Sequence, residues 1–197
     1  MSNTLILIAA NVVVSLAALY LSPKIFELGM LKPYRVWRQN TWYELISSGF
    51  VHAGMGHLFL NMFTLFFFGP VLENSLGTFH FIMLYFSGLI VSSLPSMIFH
   101  KDDPNYATVG ASGAVESVLF GFILLFPMQE IYLMLIPIGI PAFVFGLFFL
   151  GYSLYASRGE GKINHEAHIA GAVWGLLYLL IFVPNTIDHI LTIMNLI

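Results

Sequence analysis

The stretch TVGASGAVESVLFGFILLFP, residues 108–127, decides the fold expected for this chain. It begins with small, turn-prone residues and then runs into one of the most apolar segments of the sequence. Similar apolar segments recur between short polar stretches, and about 20 such residues suffice for a helix to cross a bilayer. Ser112, which lies between small residues, and Glu116, one helical turn later, are polar exceptions within this stretch. The stretch therefore predicts a membrane helix with polar chemistry at its start.

The composition restricts the class of protein in the same direction. Of the 197 residues, 58% are hydrophobic and 9% are charged, whereas soluble domains carry about 25% charged residues. The chain has no cysteine, which excludes disulfides, a thiolate nucleophile and cysteine metal sites. A net charge of -3 and seven scattered basic residues do not indicate a nucleic-acid partner. The expected partner is the lipid bilayer.

The pattern of apolar runs predicts an all-α membrane protein with six transmembrane helices. The predicted spans cover residues 4–22, 57–76, 78–99, 111–127, 130–155 and 166–184. We interpret the first run as a helix and not as a signal peptide, because it lacks a basic leader and a small-residue cleavage site. The long first loop, residues 23–56, mixes aromatic and basic residues. This mixture favours short helices lying partly in the membrane surface.

Candidate catalytic residues occur where three of these spans begin. Spans two, four and six run in the same direction, so their first turns lie at one face of the membrane. The polar residues of these turns are His52, His57, Asn61, Ser112, His165 and His168. Polar side chains within a bilayer are costly and usually functional. A serine, a histidine base and hydrogen-bond donors for an oxyanion are the parts that acyl transfer needs.

Small residues predict which helices carry these groups into contact. Two stripes repeat every four residues: Gly113, Ser117 and Gly121 in span four, and Ala167, Gly171 and Gly175 in span six. Such stripes let membrane helices approach closely, which would bring Ser112 to His168. His165 is the second candidate for the base, because we expect span six to bury it less. Gly110 and Gly113 would allow the backbone to turn sharply beside Ser112.

Four motifs together resemble the rhomboid family of intramembrane serine proteases in its minimal six-helix bacterial form. They are WR at 37–38, FVHAGMGHLFLNMFTLFFFGPVLENSLG at 50–77, GASGAV at 110–115 and AHIAGAVWG at 167–175. They occur in the family's order and cover nearly the whole chain. The resemblance implies a single rhomboid domain over residues 1–197 and a serine endopeptidase that cleaves transmembrane segments of membrane proteins. It also implies that neither a metal nor a cofactor is needed.

The resemblance assigns a role to each matching position. Ser112 matches the nucleophile and His168 the general base, which together form a dyad. His57 and Asn61 match the side-chain donors of the oxyanion hole, and His52 matches a histidine that supports the site. The family implies a multi-pass protein of the bacterial inner (cell) membrane with its odd-numbered loops outside the cytoplasm. All seven Lys and Arg residues lie in those loops, so the positive-inside rule predicts the opposite orientation; we follow the family.

Glu116 departs from the family pattern, in which an aromatic or other apolar residue commonly follows the serine by four positions. One hypothesis is that Glu116 hydrogen-bonds His168 and fixes its tautomer, as the acid of a catalytic triad does. The alternative is that burial keeps Glu116 protonated and that it hydrogen-bonds inside the bundle without a catalytic role. The sequence leaves both open.

Other functions compete with proteolysis by a serine. A zinc metalloprotease would need H-E-x-x-H, and the HEAH at 165–168 has the wrong spacing. A catalytically inactive rhomboid-like protein that binds membrane proteins, or a transporter that uses the polar cluster, remains the alternative.

Three further residue types have structural interpretations. Glu73 and Gly77 are expected to serve packing and a turn near the end of span two. Pro137 and Pro141 would weaken or kink span five.

Overall fold

The computed structural model of the protein describes residues 2–132, 138–157 and 164–193, most of which are helical. Nine α-helices occur in these ranges: α1 (Asn3–Leu16), α2 (Pro23–Gly29), α3 (Pro33–Gln39), α4 (Glu44–Ser47), α5 (Met55–Phe99), α6 (Ser112–Leu125), α7 (Ala142–Ala156), α8 (His165–Phe182) and α9 (Thr186–Ile193). A π-helical turn (Ala17–Leu21) extends α1, and a 3-10 turn (Ser48–Phe50) follows α4. Two short strands, β1 (Glu130–Tyr132) and β2 (Gly139–Pro141), precede α7.

The longest helix, α5, consists of two helices joined at Gly77. The backbone there has φ 74° and ψ 162°, a conformation that a residue without a side chain adopts most easily. The break agrees with the predicted turn between spans two and three. Within the described residues, three segments are long and apolar enough to cross a membrane: Asn3–Leu21, Met55–Phe99 and His165–Phe182. The helices α6 and α7 are apolar but shorter.

The first loop folds into α2, α3 and α4, as predicted. Proline stands at the start of both α2 and α3, where its missing N–H costs no helical hydrogen bond. Glu44 is fully buried and accepts hydrogen bonds from the Lys32 backbone N–H and the Arg35 side chain. A backbone bridge between Leu31 and Thr108 ties this loop to the segment just before α6.

The prediction that span five begins at residue 130 is wrong. The strands β1 and β2 pair antiparallel there, and α7 begins only at Ala142. Pro141 ends β2 and caps α7, so it does not kink a helix. A proline fixes φ and lacks an N–H, which favours the boundary of a helix over its interior. Pro137 lies outside the described residues.

The helix α6 lies at the centre of the bundle, against α5 and α8. The predicted stripes meet there: a Cβ added to Gly171 would overlap the Gly113 carbonyl, and one added to Gly175 would overlap the Ser117 carbonyl. The Ser117 hydroxyl donates to the Gly171 carbonyl at 2.9 Å. The prediction of close packing between these two helices is confirmed.

Glu73 fastens the start of α1 to α5. Its carboxylate accepts four hydrogen bonds, from the backbone N–H and the side chain of both Asn3 and Thr4, at 2.7 to 2.9 Å. Carboxylates are favoured at helix N-termini, where backbone N–H groups have no helical partner. Glu73 therefore has the packing role expected of it.

Candidate active site

Ser112 is the first residue of α6, directly after a sharp turn. Gly110 has φ 121°, and a Cβ there would also overlap the His57 ring, so both its conformation and its neighbour favour glycine. The first hydrogen bond of α6 runs from the Val115 N–H to the Ala111 carbonyl at 2.9 Å. The backbone N–H groups of residues 112–114 therefore come before the helical hydrogen-bond ladder, as at any helix start. These backbone N–H groups are therefore available to donate hydrogen bonds to an oxyanion.

One cavity of ≈ 720 Å³ brings together residues from all three polar helix starts. The predicted residues that line it are Ser112, His168, His57, Asn61, Glu116, Gly110 and Gly113. His52 and His165 do not line it. The described structure thus joins the nucleophile, base and donor candidates around one space.

Of the two histidines in the first turn of α8, His168 is the one that lines this cavity. It lies in the first turn of α8, with its side chain 20% exposed. Its ring is parallel to that of Phe149 on α7, with centroids 6.3 Å apart. His165 is only 8% exposed, so the expectation that it would be less buried than His168 is wrong. The start of α8 is covered on the His165 side, where the Tyr152 ring lies edge-on to the imidazole.

His57 and Asn61 lie on one face of α5, because they are four residues apart. The Asn61 side-chain amide donates to the His57 carbonyl at 2.9 Å. An amide nitrogen carries two N–H groups, so one remains free to donate elsewhere. The His57 ring lies over Gly110, two residues before Ser112. Both side chains line the cavity and carry groups that can donate hydrogen bonds into it.

His52 supports the backbone beside Ser112 and is itself held in one tautomer. The Ser15 hydroxyl donates to the Phe50 carbonyl at 2.9 Å and lies 2.8 Å from His52 Nδ1. Because that hydroxyl has one proton, Nδ1–H of His52 is the donor to Ser15. The ring's Nε2 then accepts from the Ala111 N–H at 3.4 Å. Burial, and then the neighbouring His57, lower the pKa of His52 to about 3, so the ring stays neutral at ordinary pH.

Glu116 lies beside His168 but does not hydrogen-bond it in this geometry. Its Oε1 is 3.8 Å from His168 Nδ1, which is beyond the range of a hydrogen bond. Its Oε2 is buried and has no hydrogen-bond partner among the described residues. The structure therefore describes neither the hydrogen bond to His168 that the first hypothesis requires nor the hydrogen bond inside the bundle that the alternative requires.

Comparisons with known proteins identify the family. A family model described as Rhomboid domain matches residues 39–185, which is most of the chain. The chain belongs to the rhomboid family. Together with the apolar helices, this makes it an integral membrane protein.

Individual rhomboid relatives are similar at moderate identity. RHOMBOID-like protein 12, mitochondrial, of Arabidopsis thaliana is 31% identical over 66% of this chain and 43% of its own length. Rhomboid protein 1, mitochondrial, of Saccharomyces cerevisiae is 33% identical over 68% of this chain and 40% of its own length. Rhomboid protease GluP of Bacillus subtilis is 28% identical over 70% of this chain and 25% of its own length. The chain therefore spans less than half the length of these relatives.

Two residues that matter for this rhomboid site were not found from the sequence. Asn164 lines the cavity and caps α8, where its side chain accepts from the Ala167 N–H at 3.0 Å and donates to both Ser96 and Tyr106. Its position just before the apolar run is a helix-cap signal that could have been used. Ser15, which holds His52, gives no local signal beyond being polar within an apolar span.

No group of three metal-ligating side chains occurs within the ranges that the structure describes.

Proposed function

We propose that this rhomboid protein is an intramembrane serine endopeptidase that cleaves transmembrane segments of other membrane proteins. The observation that carries the proposal is the single cavity shared by Ser112 on α6, His168 on α8, and His57 and Asn61 on α5. Nucleophile, base and oxyanion donors are the minimal set for acyl transfer. Metal and cofactor chemistry is not part of the proposal.

The first half of the mechanism forms an acyl-enzyme. Nε2 of His168 takes the proton of the Ser112 hydroxyl as the oxygen attacks a backbone carbonyl of the substrate. The electron pair of the carbonyl moves onto its oxygen, which His57, Asn61 and the backbone N–H groups at the start of α6 stabilise. The carbonyl then re-forms, the C–N bond breaks, and His168 returns the proton to the leaving amine.

The second half of the mechanism repeats these steps with water. His168 takes a proton from water as the hydroxide attacks the ester carbonyl, and then gives that proton to Ser112 as the ester bond breaks. Water has to reach this depth for the ester to be hydrolysed. Polar side chains of α5 and of the α8 cap, among them Ser92, Ser96 and Asn164, line the same cavity and favour water there.

The fold that we propose for this function is the six-helix bundle in a single rhomboid domain over residues 1–197. Its transmembrane helices would be α1, the two parts of α5 on either side of Gly77, α6, α7 and α8. We propose the bacterial inner (cell) membrane as its location, which recovery of the tagged protein in inner-membrane fractions would test. Its partners would then be membrane proteins of that bilayer.

Replacing the nucleophile tests the proposed function. The purified protein in detergent is expected to cleave a transmembrane test substrate, and Ser112→Ala is expected to lower kcat by at least about 10³-fold, because the other groups have no nucleophile to activate. A fluorophosphonate probe should label the wild type and not the variant. Ser75→Ala is the matched control, because Ser75 is exposed on α5 and the hydrogen bond described for it goes to its own helix.

Two results would contradict a serine protease. One is cleavage that persists in Ser112→Ala, and the other is equal labelling of wild type and variant by the probe. A correctly folded wild type that cleaves none of a panel of transmembrane segments and takes up no probe would favour the inactive, binding form of the family.

A further inference from the structure

Glu116 is a buried carboxyl group that has no role in the mechanism proposed for the Ser112–His168 dyad. It follows Ser112 by one turn of α6 and is 8% exposed. One oxygen, Oε1, lies 3.8 Å from Nδ1 of His168. The other, Oε2, is buried with no hydrogen-bond partner in the described part of the chain. A buried polar atom without a partner is costly and calls for an explanation.

Among the residues that the structure describes, Glu116 is the acidic group beside His168. From α7 the ring meets the apolar face of Phe149. From α8 the nearest titratable group is His165, with ring centroids 6.2 Å apart, and from α5 it is His57, which also lines the cavity. Both are bases. Glu166, the other acid at the start of α8, is exposed.

We propose that Glu116 is a positioning residue for His168: its carboxylate accepts a hydrogen bond from Nδ1–H and so directs the free electron pair of Nε2 to Ser112. The inference rests on the proposed function. It adds to the Ser112–His168 dyad an acid that orients the histidine. Shortening the distance from 3.8 Å to about 2.8 Å makes the bond. Catalytic hydrogen bonds are often long in the free enzyme and shorten in the complex with substrate.

The contact affects the reaction at one step. When Nε2 takes the Ser112 proton, the imidazole becomes an imidazolium with a proton on each nitrogen. The carboxylate, itself keeping no proton, then stabilises this cation across Nδ1–H, as the acid of a triad does. A substrate that fills the cavity expels water and strengthens the attraction, because the local dielectric constant falls. The proton on Nε2 still goes to the leaving amine.

Two substitutions separate the charge of Glu116 from its ability to accept a hydrogen bond. Glu116→Gln keeps the size and an acceptor oxygen but removes the charge, whereas Glu116→Leu removes both. We expect kcat to fall about tenfold for Gln and further for Leu, with KM changing less than about twofold. The acidic limb of the kcat/KM pH profile should move to lower pH in both variants, because the imidazolium loses the adjacent negative charge.

Glu73→Gln is the matched control. Glu73 is as buried as Glu116, but its hydrogen bonds go to α1 and not to the cavity. This variant should have a lower Tm and an unchanged pH profile and kcat. A purely structural role of Glu116 would give the same pattern for the Glu116 variants.

The outcomes distinguish the inference from the function on which it rests. If Glu116→Gln keeps the wild-type kcat and pH profile while Ser112→Ala abolishes cleavage, the inference is wrong and the protease stands. If Ser112→Ala still cleaves, the proposed function itself is wrong. Should Glu116→Leu fail to fold, the near-isosteric Gln variant still decides, and the rate at which a fluorophosphonate labels its Ser112 gives a second measure of the base.

Discussion

Glu73 and Glu116 are two carboxyl groups with the same exposure, 8% each, and opposite surroundings. Glu73 accepts four hydrogen bonds from the first turn of α1. Glu116 has an oxygen without a described partner and a histidine at 3.8 Å. Burial alone therefore does not tell what a membrane carboxyl group does. The number of its hydrogen-bond partners is more informative. A carboxyl group whose oxygens are all hydrogen-bonded stabilises the fold, whereas one with a free oxygen is available for chemistry.

The substitution with the largest expected effect on stability and cleavage lies in the contact between α6, which carries Glu116, and α8. Gly171→Val would force the backbones of α6 and α8 apart, because even a Cβ overlaps the Gly113 carbonyl. We expect a loss of more than about 3 kcal/mol in the free energy of unfolding. Cleavage should also be lost. SDS-induced unfolding and a cleavage assay measure the two.

A glycine with free space around it is the control for that change. An added Cβ at Gly151 on α7 meets nothing within 4 Å, so Gly151→Ala should leave stability and cleavage close to wild type. If Gly171→Val behaved like this control, the close contact between α6 and α8 would not be what holds Ser112 and His168 in place.

A smaller effect is expected where the carboxyl group is satisfied. Glu73→Leu leaves the N–H groups at the start of α1 without their acceptor, which should cost about 2–4 kcal/mol in unfolding free energy. Activity per folded molecule should be unchanged. Thermal unfolding and active-site titration with a fluorophosphonate measure the two quantities.

The same substitution at Glu116 completes the comparison. Glu116→Leu breaks no hydrogen bond that the structure describes, so its stability should equal or exceed that of the wild type, with kcat reduced. If Leu at both positions lowered stability equally, the distinction between the two carboxyl groups would fail.

The smallest effect expected is that of a single donor to Glu73. Thr4→Val keeps the shape of a fully buried side chain and removes one of the four hydrogen bonds. A loss of about 1 kcal/mol is expected, measured as a shift of the unfolding midpoint. A loss as large as that of Glu73→Leu would mean that the four bonds do not contribute separately.

Local rules predicted the features that depend on residues close in sequence. The start of α6 at Ser112, the break at Gly77 and the shared face of His57 and Asn61 follow from glycine positions and from helix periodicity. The contact of α6 with α8 also followed, because both carry small residues at the same spacing. The first three features need no knowledge of the rest of the chain, and the contact between α6 and α8 needs only the two stripes of small residues.

The features that were missed depend on residues far apart in sequence. Glu73 finds its donors 70 residues away, and Ser15 holds a histidine 37 residues away. Hydropathy did not separate the hairpin from α7, because the sequence is almost continuously apolar from residue 131 to residue 150. The 3.8 Å between Glu116 and His168 depends on how two helices are rotated against each other, which no local pattern specifies.

The length of α6 has a consequence for the depth at which the proposed reaction would take place. Its 14 residues extend about 21 Å, which is about 9 Å less than the hydrocarbon core of a bilayer. A helix facing lipid would meet this hydrophobic mismatch by deforming the membrane. Almost every residue of α6 is buried by its neighbours, so lipid does not surround its ends. The cavity that Ser112 lines lies at the first turn of α6, so in the proposed protease this missing length would set how far below the headgroups a peptide bond is cut.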